Sequence, residues 1–321
     1  MLTTLIRSDG LPWTGLGTRY ETHPQTSDEI VTQAKLNWEV AAAQLYSNEF
    51  GPAEGYYEIY RKDNQRRLGV VKSPRLMQVQ NIDMFKSIEP ILQNGTVKLD
   101  TSARFGKTDS IFGTFEITQD YTILDDEMKH YLVVINDHLK PDGRITVLNT
   151  PVRVACMNVM AEALSKNLYN MRVPVSAELT ANRTHASDII MQAENAISQL
   201  KTRAEKMYSQ KIEDSGIDKM MDIILPYPEL DGITEASTRK AEDVEMQREI
   251  FVQEYLNADN LQNFKGTNWG VYQAVADFSQ HAWKKVDSAY NLDCRMKKLP
   301  GLGEKTIVQK YLSFVKDLIA A

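Results

Sequence analysis

Apolar residues recur along this chain in two rhythms, one near 3.6 residues and one of two, and the switches between them mark its elements. Thr26 and Glu29 form a capping box ahead of Ile30, Ala34, Leu36, Trp38 and Val40, which predicts a helix over 27–46. Tyr56-Tyr57-Glu58-Ile59-Tyr60-Arg61 alternates and is rich in aromatics, the pattern of a half-buried strand. A polar turn over 62–65 leads to Arg67-Leu68-Gly69-Val70-Val71-Lys72, its expected hairpin partner. Asn81 is placed to cap a helix whose apolar face is Ile82, Phe85, Ile88 and Leu92, and Asn94-Gly95 would end it. Strands are expected over 96–104, 111–118, 131–135 and 144–148, the last after an Asp142-Gly143 turn.

Residues 152–170 then read as helical. Residues 1–185 are therefore expected to form an α+β core domain: a curved antiparallel sheet with packed helices on one face, carrying the basic hairpin. Residues 186–321 read as a mainly helical C-terminal region. Ile189, Ala193, Ala196, Leu200, Ala204, Met207 and Tyr208 trace one stripe, with Ser187 as N-cap and Ser215-Gly216 as the stop. A break at Pro226-Tyr227-Pro228 and a turn at Gly232 precede an acidic helix near 238–257, and two more helices fit 268–288 and 305–319.

Composition narrows the class. At 321 residues, 42% hydrophobic and 25% charged, the chain has the make-up of an ordinary globular protein with room for a large core. It holds no run of eighteen apolar residues and no basic-then-apolar leader, so a cytoplasmic protein without membrane contact is expected. The two cysteines, Cys156 and Cys294, have no CxxC partner and read as reduced, buried thiols rather than a nucleophile. A net charge of −6 argues against indiscriminate binding of polyanions, but the charge is polarised. Residues 61–75 hold six Lys/Arg against one Asp, whereas residues 227–259 hold nine carboxylates against three cations.

Residues 150–158, Thr-Pro-Val-Arg-Val-Ala-Cys-Met-Asn, place a charged Arg153 inside an apolar run, where it must pair or meet a ligand. This segment is one of four that together carry a family likeness. The others are Pro12-Trp13-Thr14-Gly15-Leu16-Gly17, then Leu68-Gly69-Val70-Val71 followed by Val79-Gln80-Asn81, and Gly266-Thr267-Asn268-Trp269-Gly270 leading to Ala274 and His281. In this order and spacing the chain resembles the phage- and plasmid-borne proteins grouped as domain of unknown function 932. It departs from their usual pattern at Leu76 and in the longer turn Leu139-Lys140-Pro141. The resemblance implies a mobile-element origin and no particular activity. The order helix, hairpin, helix, strands, long helix is also similar to the annealing core of Rad52-type recombination proteins, which form rings and hold single strands in an outer basic groove.

The residues themselves offer three chemistries. Arg61, Lys62, Arg66, Arg67, Lys72 and Arg75 crowd the hairpin and its exit, with Tyr56, Tyr57 and Tyr60 interleaved, Tyr57 or Tyr60 expected to stack, and Arg153 expected on the same side. Cations neutralise phosphates and aromatic rings stack unpaired bases, so this points to single-stranded DNA or RNA as partner, bound without catalysis, cofactor or metal. The bland alternative is a solvated hairpin whose tyrosines pack in the core. The acidic segment suggests instead a surface for a host protein, as a polyanion mimic. Asn136-Asp137-His138 with Asp142 is the one tight group of potential metal ligands, thin for a nuclease and simpler as turn chemistry. His185 and His281 read as caps or packed side chains, and Trp13, Trp269 and Trp283 as core anchors. The leading expectation is a homo-oligomeric, ring-forming annealing protein that is not an enzyme.

Overall fold

Two antiparallel sheets and a helical C-terminal region build the protein in the computed structural model, which describes residues 17–20, 22–73, 78–124, 126–140, 142–153, 158–159, 170–174, 183–228, 235–281 and 310–311. Helix α1 (Ser27–Gln33) opens with the expected capping box: the Glu29 amide donates to Thr26 Oγ1 at 3.3 Å and the Thr26 amide to Glu29 Oε2 at 3.2 Å. Backbone hydrogen bonds from Gln25 and Thr26 hold the Glu29 carboxyl below its usual range. The helix does not run to residue 46. Lys35 turns left-handed (φ 56°), the Leu36 amide folds back onto the Val31 carbonyl at 2.7 Å, and the chain leaves extended as β2 (Val40–Ser47). With β3 (Gly51–Arg61) and β4 (Arg67–Lys72) this strand forms a three-stranded sheet in the order β2-β3-β4.

Side-chain amides from α2 (Asn81–Lys86) and the residue before it account for the early stop. Gln80 donates to the Val40 carbonyl at 3.1 Å and accepts from the Val40 amide at 2.9 Å, imitating a neighbouring strand. Asn81 donates to the carbonyls of Leu36 and Trp38. Gln80, not Asn81, is therefore the N-cap of α2, because the Asn81 amide is spent on the extended segment. Asn94 caps α3 (Glu89–Gln93) and Gly95 turns away at φ 77°, as expected.

The larger sheet has the order β1-β5-β6-β7-β8-β10, built from Thr18–Arg19, Val97–Phe105, Ser110–Ile123, Asp126–Asn136, Arg144–Arg153 and Asn170–Pro174; β9 (Asn158–Val159) also pairs with β8. The four expected strands map onto β5, β6, β7 and β8. The helix expected over 152–170 does not: Val152 and Arg153 finish β8, Asn158 pairs with Arg153, and Asn170 begins β10. Residues 154–157 and 160–169 lie outside the described residues.

On one face of this sheet Ile111, Phe115, Ile117, Leu132, Val134, Ile145 and Val147 pack with α1, α2, α3 and the three-stranded sheet. On the other face Phe112, Thr114, Tyr131, Val133, Ile135 and Leu148 are buried as well, so the sheet is covered on both sides rather than one. The smaller sheet sits close because Gly69 has no side chain: a Cβ there would meet Leu139 Cδ1 at 2.8 Å.

Helix α4 (Arg183–Ser209) joins the two halves of the core. Ile189 and Ala193 belong to the sheet-side cluster, while Ala196, Leu200, Ala204 and Met207 belong to a second cluster with Ile123 and Met128. Ser187 lies inside this helix rather than capping it, and Tyr208 is largely exposed. Ser215-Gly216 does not stop it either: they form the first turn of α5 (Asp214–Ile224), with the Glu213 carbonyl accepting from the Gly216 and Ile217 amides. The acidic helix is α6 (Glu235–Asn257); a 3-10 turn (Asp259–Phe264) leads to α7 (Asn268–His281), whose described side chains are all buried. Of the helix expected over 305–319, residues 310–311 are described and helical. The fold is α+β with a mainly helical C-terminal region.

Two buried histidines set an acid limit on this core. His130, opposite Ile117 on the sheet, has neither ring nitrogen hydrogen-bonded, and burial pushes it down to about 3. His138 packs edge-on against Trp38 and is pushed down to about 4, burial outweighing Asp137 and Asp109. The unfolded chain binds these protons near pH 6.5 and the folded chain does not, so stability is full above that pH and drains away as pH falls toward 3–4. Each histidine is expected to remove about 2 kcal/mol between pH 7 and pH 5. Urea unfolding of wild type and His130→Leu at both pH values checks this; the variant should lose about 2 kcal/mol less on acidification, and an equal loss would contradict it.

Candidate nucleic-acid interface

Register sorts the hairpin residues onto two faces. Directly opposed residues of an antiparallel pair point to the same side. Ala42 and Gly69 flank Ile59, Gln44 and Val71 flank Tyr57, and Val40 opposes Arg61, so these residues form the inner face. Ala41 and Arg67 flank Tyr60, Ala43 and Val70 flank Glu58, and Lys72 opposes Tyr56, so these form the outer face. Tyr57 accordingly packs against the core, whereas Tyr56, Val70, Arg67 and Lys72 are exposed and Tyr60 is half-buried. Tyr56 rather than Tyr57 is thus the neighbour of Tyr60 on the solvent side. Lys72 Nζ lies 5.3 Å above the Tyr56 ring, and Arg67, 80% exposed, reaches Glu58 at 2.9 Å.

The inward arginine is held differently. Arg61 is 11% exposed, with its guanidinium 4.1 Å over the Trp38 ring and bonded to Asp63 and Asp109. The hydrogen bond to Asp63 is the main reason its pKa rises, with Asp109 adding to it, and the same contact holds the Asp63 carboxyl below the usual range. Asp109, fully buried in the β5–β6 turn, takes Arg61 on Oδ2 at 3.0 Å and Arg104 and Arg66 on Oδ1 at 2.9 and 3.3 Å. The residue sits at φ 48°, a left-handed conformation that aspartate tolerates in turns. Lys62 pairs with Glu39 at 2.6 Å, and this raises its pKa.

The basic hairpin is therefore a partly neutralised surface. Arg61 and Lys62 are committed to carboxylates, and Arg66 is drawn to Asp109. Arg67 and Lys72 remain on the open face with Tyr56 and Tyr60. Arg75 lies outside the described residues, as does the side chain of Arg153, whose backbone ends β8 opposite Met128 rather than marking a sheet-to-helix seam. Sequence reasoning missed Asp109 and Arg104, which lie 48 and 43 positions beyond Arg61 with no local pattern linking them. A lone acid in the turn Gly106-Lys107-Thr108-Asp109 beside a basic hairpin was the available signal.

The other candidates are absorbed by structure. Asn136 donates to the Val79 carbonyl at 2.9 Å, Asp137 accepts from the Leu139 amide at 3.1 Å, and His138 faces Trp38. Among the described residues no three His, Cys, Asp or Glu side chains converge as metal ligands. Trp269 stacks on Tyr272 with ring centroids 5.3 Å apart in the buried core, whereas Trp13, Trp283, Cys156 and Cys294 lie outside the described residues.

Helix α6 presents Glu242, Asp243, Glu245 and Glu249 to solvent, with Tyr227 donating to Glu245. Arg248, in contrast, is tucked under it, stacked 4.0 Å from the Tyr227 ring and bonded to Asp222 and the Leu225 carbonyl. Among the described residues no helix is long and apolar enough to cross a membrane.

Asp109→Asn strips the carboxylate from the inward Arg61. Breaking a buried pair costs about 3–5 kcal/mol, and the half-exposed Arg66 and Arg104 together with the surviving Asp63 contact reduce this to about 2–3 kcal/mol. Denaturant unfolding should show that loss; a change below about 0.5 kcal/mol would mean the cluster is solvated decoration.

The motif segments have structural tasks. Thr267 Oγ1 donates to the Phe264 carbonyl at 2.6 Å and accepts from the Gly270 amide at 3.1 Å, while Asn268 bonds Gln210 and receives Tyr311 Oη on its carbonyl. A Cβ at Gly270 would stand 2.3 Å from the Phe264 carbonyl oxygen, so only glycine fits. No solved structure and no curated protein matches this chain, and neither comparison shows a likeness to the Rad52-type core. A family description, Domain of unknown function (DUF932), matches residues 67–298. It begins at β4, after both tyrosines of the open face, and takes in β5 to α7 with the Gln80-Asn81 clamp and the Thr267–Gly270 turn. Covering well over half of the chain, this match makes the protein a member of the DUF932 family.

Proposed function

We propose that this protein binds single-stranded nucleic acid, without chemistry, on the outer face of the three-stranded sheet. One observation carries the reading: Tyr56 and Tyr60 stand two pleats apart on the open side of β3, with Lys72 and Arg67 opposite them on β4. The exposed Tyr56 ring and the half-buried Tyr60 ring can each take a base of one strand, and Lys72 beside Tyr56, with the Glu58-paired Arg67 beside Tyr60, can follow the sugar-phosphate backbone. A sheet face reads unpaired bases by stacking, which duplex DNA does not offer. Annealing of complementary strands on a closed ring in a host cell's cytoplasm, on behalf of a phage or plasmid, is the fuller form of this proposal. It requires a homo-oligomer.

Anisotropy with a labelled oligothymidylate at low salt tests the reading. Tyr60→Ala and Tyr56→Ala should each weaken binding by about 1–3 kcal/mol, and Arg67→Ala should lower the salt dependence. Absence of binding, or binding indifferent to both tyrosines, would remove the proposal. Mass measurement with and without the strand reads the ring.

The exposed carboxylates of α6 favour a second reading, a host protein held on an acidic surface. Capture from host lysate that survives Tyr60→Ala but fails when Glu242, Glu245 and Glu249 become Gln would replace the first reading with this one.

A further inference from the structure

Arg66 and Arg104 both use the same oxygen of Asp109, although they come from different sheets. Arg66 leaves the β3–β4 turn and Arg104 stands on β5; their side chains are 45% and 55% exposed. Three guanidiniums thus share the single negative charge of Asp109, Arg61 on Oδ2 and the other two on Oδ1. The third guanidinium is brought beside a like charge, an arrangement that costs energy unless something negative offsets it. Lys107, exposed in the β5–β6 turn, accepts from Arg66 Nη2 on its carbonyl at 3.3 Å and adds a fourth cation. Two carboxylates, Asp63 and Asp109, stand against Arg61, Arg66, Arg104 and Lys107, so positive charge is left over at the surface.

The surplus is held in place. Asp109 is fully buried, so its oxygens fix where the two guanidiniums sit, close enough for one tetrahedral anion to bridge them. Each guanidinium carries five N–H donors in a planar fork, and the contacts to Asp109 and Lys107 occupy only some of them. We propose that Arg66, Arg104 and Lys107 form a phosphate-binding site prearranged by Asp109. The ligand is a phosphate group, either a phosphodiester of a bound strand or a free phosphate. As a strand subsite it rests on the nucleic-acid reading: Arg66 directly precedes Arg67, which opposes Tyr60, so the site adjoins the open face at the start of β4.

The test uses the full chain, the Arg104→Gln/Lys107→Gln double variant and Lys107→Gln alone, whose exposed side chain leaves the Asp109 contacts intact. Oligothymidylate affinity is measured across a salt series. Two lost phosphate contacts should weaken binding several-fold and reduce the slope of log K against log salt by about 1.4, with Lys107→Gln giving about half of that. In parallel, thermal midpoints are compared in pyrophosphate and in chloride at matched ionic strength; pyrophosphate should raise the wild-type midpoint and leave the double variant unmoved. Strand affinity and slope unchanged in the variants, with no pyrophosphate shift that the double variant loses, would overturn the phosphate site even if the tyrosines matter. If wild type ignores the strand but keeps a pyrophosphate shift that the variant loses, the site stands for free phosphate and the nucleic-acid reading falls. A wild type indifferent to both probes overturns both.

Discussion

The carboxylate of Asp109 is the constraint on which the relation between the two sheets depends. It sits in a turn of the larger sheet yet holds Arg61 and Arg66 of the smaller one. An inward-facing arginine is tolerable only with such a partner, since an unpaired buried charge costs several kcal/mol. With Arg61 fixed over Trp38, and Leu139 lodged against Gly69, the inner face of β2-β3-β4 is committed to the core. The outer face then has nowhere to go but solvent. The open tyrosines follow from that anchoring.

The same pairing divides the basic residues by role. Charges drawn inward or matched across the turn give stability and orientation, and their number says little about a partner. Lys72 on the open face, and Arg66 and Arg104 gathered in excess around one carboxylate, are the charges with something still to neutralise, whereas Arg67 is matched by Glu58 beside it. A hairpin that looks uniformly basic in one dimension is thereby resolved into a structural half and an available half.

Legibility in the sequence followed the range of the interactions. The Thr26–Glu29 box, the β3–β4 hairpin, strands β5 to β8 and the α4 stripe are governed by neighbours within one or two turns, and all were readable. The spacing of Ile30, Ala34, Leu36, Trp38 and Val40 fits a longer helix than α1, while the amides that hold the segment extended come from Gln80 and Asn81, about forty positions away. Helix α5 was hidden by Ser215-Gly216, which resembles a stop until the Glu213 carbonyl is seen to start a new helix. The tyrosine pair was misread for a subtler reason. Which of Tyr56 and Tyr57 faces outward depends on the parity of the strand, and that is set by the inward demand of Ile59 and Arg61.

Family membership and the candidate site draw on different stretches of the chain. The Gln80-Asn81 clamp and the Thr267–Gly270 turn lock the scaffold, whereas Tyr56 and Tyr60 lie ahead of the matched residues. The direct measurement is photo-crosslinking of a halogenated single strand to the full chain, with the joined peptides mapped by mass spectrometry. Adducts on Tyr56 and Tyr60 are expected, fading as salt is raised. Adducts confined to the helical C-terminal region, or none under conditions where the strand binds, would contradict the account.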